Sequence, residues 1–297
     1  MRARFIIPAF AAAAALLLTG CVDNSTPEAT TPSGAASTME ADPAAVALLP
    51  AEIKSAGVLI IGTDAAYPPN EFKDEAGDPI GWGIELADGI AAKLGLTTQY
   101  QIASFDNIIP SITGGTVDIG ESSFTDNIER EMQVDFVNYF NAGILWAAPV
   151  GSTVDPDNAC GLTVAVQSGT VEYTDELPAK NEACVAAGKA KIEVLPYPSQ
   201  DEATNAVVLG KADALSADSP VTLYAISKAE GKLEAAGESF DTAPYGIAVN
   251  KGSDLTLAVQ AALQSMVDDG SYTKILDAWG VTDGGIDTIT INAAANG

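Results

Sequence analysis

Arg130 is the side chain in this sequence best suited to gripping an anion, because its guanidinium is a planar fork that meets a carboxylate in bidentate fashion. It closes a polar run, residues 122–130, that reads Ser-Ser-Phe-Thr-Asp-Asn-Ile-Glu-Arg. On spacing alone that run is a loop with an acidic helix start, and a surface salt bridge to Glu129 or Asp126 is the expected fate of Arg130. Asp64 has the same double character. It caps the turn that follows it, or it is buried and must meet a donor, since a buried unpaired carboxylate is unfavourable. The chain contains no histidine. That excludes a Ser-His-Asp or Cys-His nucleophile and a histidine general base. Two lone cysteines do not make a zinc site, so neither metal nor cofactor is expected.

Charge narrows the partners. The chain carries 14 Lys and Arg against 40 Asp and Glu, a formal charge of −26. Such a surface repels nucleic-acid phosphates and anionic lipid. The N-terminus is of another kind. Arg2 and Arg4 precede an apolar, Ala- and Leu-rich stretch over residues 5–18, and Leu18-Thr19-Gly20-Cys21 follows. The stretch is short of the roughly 20 apolar residues of a spanning helix and reads as an export signal. Leu-Thr-Gly-Cys looks like a lipobox, which makes residues 1–20 the signal peptide and Cys21 the acylated first residue of the mature chain. Loss of Arg2 and Arg4 with the signal leaves 12 basic residues against 40 acidic ones, hence −28. Residues 21–47 are rich in Ser, Thr, Pro, Ala, Asp and Glu. They are expected to be a disordered tether, because so little large apolar surface does not offset chain entropy. The protein is thereby expected on the outer face of a bacterial cell membrane. There Cys160 and Cys184 should form a disulfide, which contributes roughly 3–4 kcal/mol in the chain-entropy model.

The remaining chain must build elements that position these side chains. Val58-Leu59-Ile60-Ile61 is a buried parallel-type strand. Ile84, Leu86, Ala87, Ile90, Ala91 and Leu94 recur at helical spacing, with Gly95 as a C-terminal cap. Strands over residues 97–102 and 117–119 flank a short helix at 107–112. This alternation indicates a doubly wound α/β unit. A second such unit follows Gly151: strands at 162–166, 193–195 and 212–215, and helices at 201–209 and 220–226. A strand at 246–249 and helices at 254–267 and 271–279 come last. The tail beyond Val281 reads as small and polar.

Five segments carry a resemblance: Gly62 through Pro69, Ile80 through Ala87, Phe105 through Ser111, Ser122 through Phe136, and Val164 through Thr170. Tyr245 through Val249 and Asp269 through Tyr272 extend it. In this order and at these spacings the chain resembles the amino-acid-binding components of ABC importers, the bacterial extracellular solute-binding proteins of family 3. The resemblance implies a two-lobe, periplasmic-binding-protein-like α/β fold, type II. Each lobe is a doubly wound mixed sheet with helices on both faces. Lobe 1 is expected over residues 48–144 and 245–297 and lobe 2 over 145–244, with two hinge crossings near 145–149 and 242–245. It implies a monomer that receives a free amino acid and delivers it to permease subunits in the membrane.

The resemblance also assigns roles. Arg130, Ser123, Thr125 and Thr170 should hold the ligand carboxylate, Thr170 from a helix start where N–H groups face an anion. Asp218 should hold the ammonium group, helped by the Ser122 carbonyl. Asp64, Tyr67, Phe105 and Gln167 should surround the ligand side chain, with the two rings sandwiching an aliphatic or guanidinium group. A carboxylate there favours Arg, Lys, ornithine or Gln as ligand and disfavours Glu and Asp. Two departures stand out. Trp82-Gly83 replaces a more usual Phe-Asp and is expected to reshape the cleft edge. Glu121 stands where relatives more often carry a small or apolar residue, and faces either the cleft or solvent. The chain is expected not to be an enzyme. The competing readings are a lyase of the cyclohexadienyl dehydratase type, for which Glu121 is the odd acid, and a ligand-sensing lipoprotein.

Overall fold

The structure is a computed structural model, and it describes residues 39–296. The signal peptide, Cys21 and the first part of the expected tether lie outside the described residues. In chain order, helices α1 (Pro43–Ala47) and α2 (Ala51–Ala56) precede strand β1 (Val58–Thr63). A small antiparallel sheet of β2 (Ala66–Tyr67), β3 (Glu71–Lys73) and β4 (Pro79–Ile80) follows. Then come α3 (Trp82–Lys93), β5 (Thr97–Ile102), α4 (Ile108–Thr113), β6 (Ile119–Thr125), α5 (Ile128–Glu131) and the long β7 (Val134–Pro149). The next stretch contains β8 (Thr163–Gln167), a π-helical turn (Glu172–Glu176), α6 (Leu177–Ala186), β9 (Glu193–Tyr197), α7 (Gln200–Val208), β10 (Ala214–Asp218) and α8 (Ser219–Lys228). Strand β11 (Leu233–Asn250) returns, before α9 (Leu255–Asp268), α10 (Ser271–Trp279), β12 (Gly285–Ile291) and α11 (Ala293–Asn296).

The large sheet has the order β5-β1-β6-β11-β7-β10-β8-β9, with β12 also on β7. Strands β1, β5 and β6 pair in parallel at one end, and β8, β9 and β10 do so at the other. Parallel strands need coverage on both faces, and each end has it. At the first end α3, α9 and α10 cover one face, with Leu86, Ile90, Ala258, Leu263, Met266 and Leu276 in its core. Ile108 and Ile112 of α4 cover the other against Phe124 and Phe136. At the second end Ala203, Val207 and Val221 pack one face and Leu177 and Cys184 the other. The disulfide joins Cys160 to Cys184, with Cα atoms 5.6 Å apart.

Two antiparallel strands join the lobes. β7 pairs with β12 and with the end of β11 up to Phe140, and with β10 from Ile144 onward. β11 changes register between Ala236 and Phe240, between Phe240 and Ala243, and between Tyr245 and Gly246. Regular ladders on either side and broken ladders between them mark the crossing between the lobes.

Two sequence expectations fail here. Residues 39–47 are not a tether. Asp42 caps α1 by accepting from Ala44 N at 2.8 Å, its own N–H bonds the Lys93 carbonyl at 2.8 Å, and Ala45 is fully buried. Composition misled because alanine, although small, packs closely against α9. The tail is not merely polar either. Gly285–Ile291 forms β12, with Ile289 buried in the lobe-1 core. The N–H of Ala293 then bonds Asp126 Oδ2 at 2.8 Å.

Candidate functional site

Strand-end loops of open α/β sheets are where ligands bind, and here the ends of β1, β6, β8 and β10 meet between the lobes. One cavity is lined by Asp64, Tyr67, Phe105, Ser122, Ser123, Thr125 and Arg130 from lobe 1, and by Gln167, Thr170, Val171, Glu172 and Asp218 from lobe 2. The ten cleft residues named from sequence therefore share one space. Val171 and Glu172 were missed.

The Arg130 site is built from the local chain. Asn127 caps α5, its side-chain oxygen accepting from Arg130 N at 2.9 Å. The guanidinium turns inward and donates to the Thr125 carbonyl at 2.8 Å and across the cleft to the Gly169 carbonyl at 3.0 Å. Its carbon lies 5.4 Å from the Phe105 ring centre and 5.7 Å from that of Phe124, and these two rings stack 4.6 Å apart. Asp126, the rival partner, is occupied by Asn138 and by α11. Burial pushes the Arg130 pKa down, while Glu172 and then Asp218 draw it back up. The surface salt bridge suggested by spacing is thus absent, because the apolar rings hold the side chain inside.

Other cross-cleft bonds tie the lobes. Gln167 Nε2 donates to Asp64 Oδ2 at 2.7 Å. Tyr67 donates its hydroxyl proton to Asp218 Oδ2 at 2.7 Å and accepts from Asp218 N at 3.2 Å. The Tyr67 ring packs with the lobe-2 core, so this tyrosine is as much a latch as a wall for a side chain. Gly169, at φ +80°, passes so close to lobe 1 that a Cβ would collide with Asp106 Oδ1, and glycine alone fits both the angle and the gap.

The hydroxyl groups of three of these residues have partners within the protein. The Ser123 hydroxyl donates to Glu71 Oε1 at 2.9 Å and accepts from Asn70 Nδ2 at 2.8 Å. Thr170 donates its hydroxyl to the Gln167 carbonyl at 3.0 Å, and the Ser122 hydroxyl accepts from Asp64 N at 3.0 Å. For Ser123 and Thr170 this leaves the backbone as the group free to meet a carboxylate. Trp82 and Glu121 are corrections as well. Trp82 does not shape the cleft edge: it is fully buried and donates its indole N–H to Asn70 Oδ1 at 2.7 Å. Glu121 faces neither cleft nor solvent. It is fully buried behind Ser123, accepts from the Tyr139 hydroxyl at 2.9 Å, and faces Glu71. Gly83 makes room for this pair, since a Cβ there would overlap Glu71 Oε1 and lie 2.7 Å from Glu121 Oε1.

The cavity is strongly acidic: three carboxylates, Asp64, Glu172 and Asp218, stand against the single Arg130 guanidinium. Burial raises Asp64 and Asp218 to about 6 each, against the hydrogen bond from Gln167 in the first case and that from Tyr67 in the second. Glu172 is pushed well above the ordinary range, by burial first and by Asp218 second. In sequence it passes for an acid in the first turn of a helix, favoured there by the helix dipole. Nothing local distinguishes it from Asp175 or Glu176.

Known proteins agree with this geometry. Residues 59–282 match the model of the bacterial extracellular solute-binding proteins, family 3. The arginine-binding protein ArgT of Corynebacterium glutamicum is 43% identical over 248 residues, 83% of this chain and 82% of that one. An ancestral arginine-binding protein bound to arginine superposes with a TM-score of 0.69 at 33% identity, covering 75% of this chain and 98% of that one. An ancestral amino acid-binding protein, a precursor of cyclohexadienyl dehydratase, superposes with a TM-score of 0.67 at 32% identity, covering 77% and 97%. With this match spanning most of its length, and a cleft lined from two α/β lobes, the chain belongs to the bacterial extracellular solute-binding proteins, family 3.

Proposed function

We propose that the protein captures a cationic amino acid, arginine before lysine or ornithine, and delivers it to an ABC importer. The observation that carries this reading is the charge of the cavity. With its acids ionised the lining holds three negative groups and one positive. Arginine brings two cations and one carboxylate. Its carboxylate meets Arg130 together with the N–H groups of Ser123, Thr125 and Thr170, its ammonium group meets Asp218 and the Ser122 carbonyl, and its guanidinium reaches Asp64 and Gln167. Phe105 and Tyr67 flank the aliphatic part. Glutamine brings one cation fewer and leaves Asp64 as well as Glu172 without one, and glutamate adds a further carboxylate to an already acidic space. Two relatives named for arginine binding support the same choice.

A thermal-shift series of the mature protein with arginine, lysine, ornithine, glutamine and glutamate tests it. Stabilisation follows RT ln(1 + [L]/Kd), about 2.7 kcal/mol at a hundredfold excess over Kd, so arginine should raise the midpoint by several degrees and glutamate should not. No shift with any amino acid would overturn the reading.

The lipid anchor at Cys21 belongs to the same proposal. Several acyl chains on one cysteine hold a protein at a membrane where one chain is marginal. Cys21→Ala should therefore move the protein from the membrane fraction to the medium, while retention in the membrane fraction would refute the anchor. A lyase is the second reading. Glu172 favours it, being a buried acid with raised pKa that faces the cavity, whereas Glu121 is excluded by its place behind Ser123. Incubation with a cyclohexadienyl hydroxy acid, followed by ultraviolet absorbance of an aromatic product, separates the two; product above the spontaneous rate would favour the lyase.

A further inference from the structure

Glu172 is left without a task by the roles above. Its side chain is fully buried and lines the cavity, and neither carboxylate oxygen has a hydrogen-bond partner among the described residues. The nearest donors are the Thr170 hydroxyl and its own N–H. Both miss hydrogen-bond geometry, and that hydroxyl is donated to the Gln167 carbonyl. The side chain springs from the π-helical turn Glu172–Glu176, a distortion that recurs at functional sites because it changes which residues face inward.

The charged and titratable groups that face it come from four elements. Asp218 approaches from the end of β10, Arg130 from α5 and Tyr67 from β2, and Glu176 follows one turn along its own helix. Arg130 is already committed to two carbonyls. Tyr67 is committed to Asp218. Two neighbouring buried carboxylates with no cation between them do not both ionise, so the Glu172–Asp218 pair carries a proton until a cation arrives.

We propose that Glu172 is a second carboxylate for the ligand ammonium group, opposite Asp218, and that ligand and proton compete for this pair, so that capture of the amino acid expels a proton to solvent. The inference rests on the orientation given under the proposed function, ammonium group at Asp218 and carboxylate at Arg130. Burial and the neighbouring charge hold Glu172 well above its ordinary range, and Asp218 at about 6, which puts the exchange within reach of neutral solutions. The ammonium group replaces the proton, its positive charge taking over the same two oxygens. Affinity is then greatest at pH above the titration of the pair. It falls by about tenfold for each unit below it, as one bound proton requires.

Isothermal titration of the mature protein with arginine at pH 7, in phosphate and in Tris, measures the proton count directly from the difference in buffer ionisation heat. The wild type should release close to one proton per arginine, and its Kd should rise steeply between pH 7 and pH 5. Glu172→Gln, nearly the same shape, should still bind, more weakly, with little proton release and a flattened pH profile. A wild-type titration with no buffer dependence and a flat pH profile would overturn the inference, as would undiminished proton release from Glu172→Gln. If that variant fails to fold, the wild-type buffer comparison decides alone. Absence of any arginine binding to the wild type at every pH is a different result, and it removes the amino-acid reading itself.

Discussion

Two pairs of buried acids lie on opposite sides of the segment that ends in Arg130, and they are built in opposite ways. Glu71 and Glu121 sit behind Ser123, outside the cavity lining. Ser123 and Tyr139 each donate a hydroxyl to the pair, Gly83 gives it space, and Asn70 and Trp82 extend the network. Glu172 and Asp218 line the cavity instead. Asp218 has Tyr67, and Glu172 has no partner among the described residues. Burial raises all four acids. The direction of a pKa shift therefore does not separate framework from ligand site. Hydrogen-bond satisfaction alone does not either, since one oxygen of Glu71 and one of Glu121 also lack a partner among the described residues. Position does: the first pair is shut behind Ser123, and the second lines the cavity, where a carboxylate is open to a cation.

The largest effect should come from removing the one cation of the cavity lining. Arg130→Ala deletes the fork for the ligand carboxylate and makes the surroundings of Glu172 and Asp218 more negative. Loss of one partner from a buried charge pair costs about 2–5 kcal/mol of binding, so arginine affinity should fall by about thirtyfold to several thousandfold in a titration. The closed pair should be untouched. Affinity within a few-fold of wild type would mean that the carboxylate lies elsewhere.

Gly83→Ala attacks the closed pair. A methyl group there overlaps Glu71 and crowds Glu121, and overpacking of this kind costs about 1–3 kcal/mol. The unfolding midpoint in denaturant should drop accordingly. Arginine affinity of the folded variant should change only a few-fold, since neither glutamate touches the cavity. A variant as stable as the wild type would show that the pair has room to spare.

What could be read from the sequence follows the same division between local and distant causes. The apolar run of β1 and the periodic face of α9 are local patterns, so both elements were expected where they stand. Arg130 and Asp218 were found through motifs. In contrast, the environment of Glu121 depends on Tyr139 on β7 and Glu71 on β3, and no window of sequence contains all three. Ser123 was assigned to the ligand carboxylate by resemblance, but its hydroxyl is claimed by Asn70 and Glu71, some fifty residues earlier. Glu172 sits beside a motif that was recognised, yet its inward aim is set by a π-helical turn that leaves no mark in residue type. β12 escaped notice although Ile286, Ile289 and Ile291 all pack on the lobe-1 core, because the strand it pairs with, β7, is distant in sequence.

Titration should separate the pairs in one experiment without ligand. All four acids have folded pKa values above their unfolded ones, so each contributes stability that is complete below about pH 4 and is lost as pH rises through the folded value. Asp218, at about 6, loses its share first, together with Asp64. Glu121, at about 8, keeps a share until higher pH. Stability of the ligand-free protein should therefore decline between pH 5 and pH 8, by about 1.4 kcal/mol per unit for each proton retained only in the folded state. Glu121→Gln should flatten the upper part of this decline, from pH 6.5 to 8, and leave the proton count on arginine binding unchanged. Glu172→Gln should flatten the decline as well and, unlike Glu121→Gln, remove most of the proton release on arginine binding. Equal effects of both variants on both measurements would merge the two pairs into one system.

Ser123→Ala should give the smallest effect, and it tests the boundary between the pairs. The hydroxyl joins Asn70 to Glu71, so its loss leaves a buried amide proton and a carboxyl oxygen short of a partner. Leaving such groups unsatisfied costs about 1–3 kcal/mol, and relaxation of Asn70 toward Glu71 places the expected loss near the lower end. The backbone N–H of residue 123 is kept. Arginine affinity should accordingly shift by less than about threefold, while the midpoint of denaturation falls measurably. A large loss of affinity with unchanged stability would place the Ser123 hydroxyl on the ligand and would make the segment ending at Arg130 a side-chain rather than a backbone cradle.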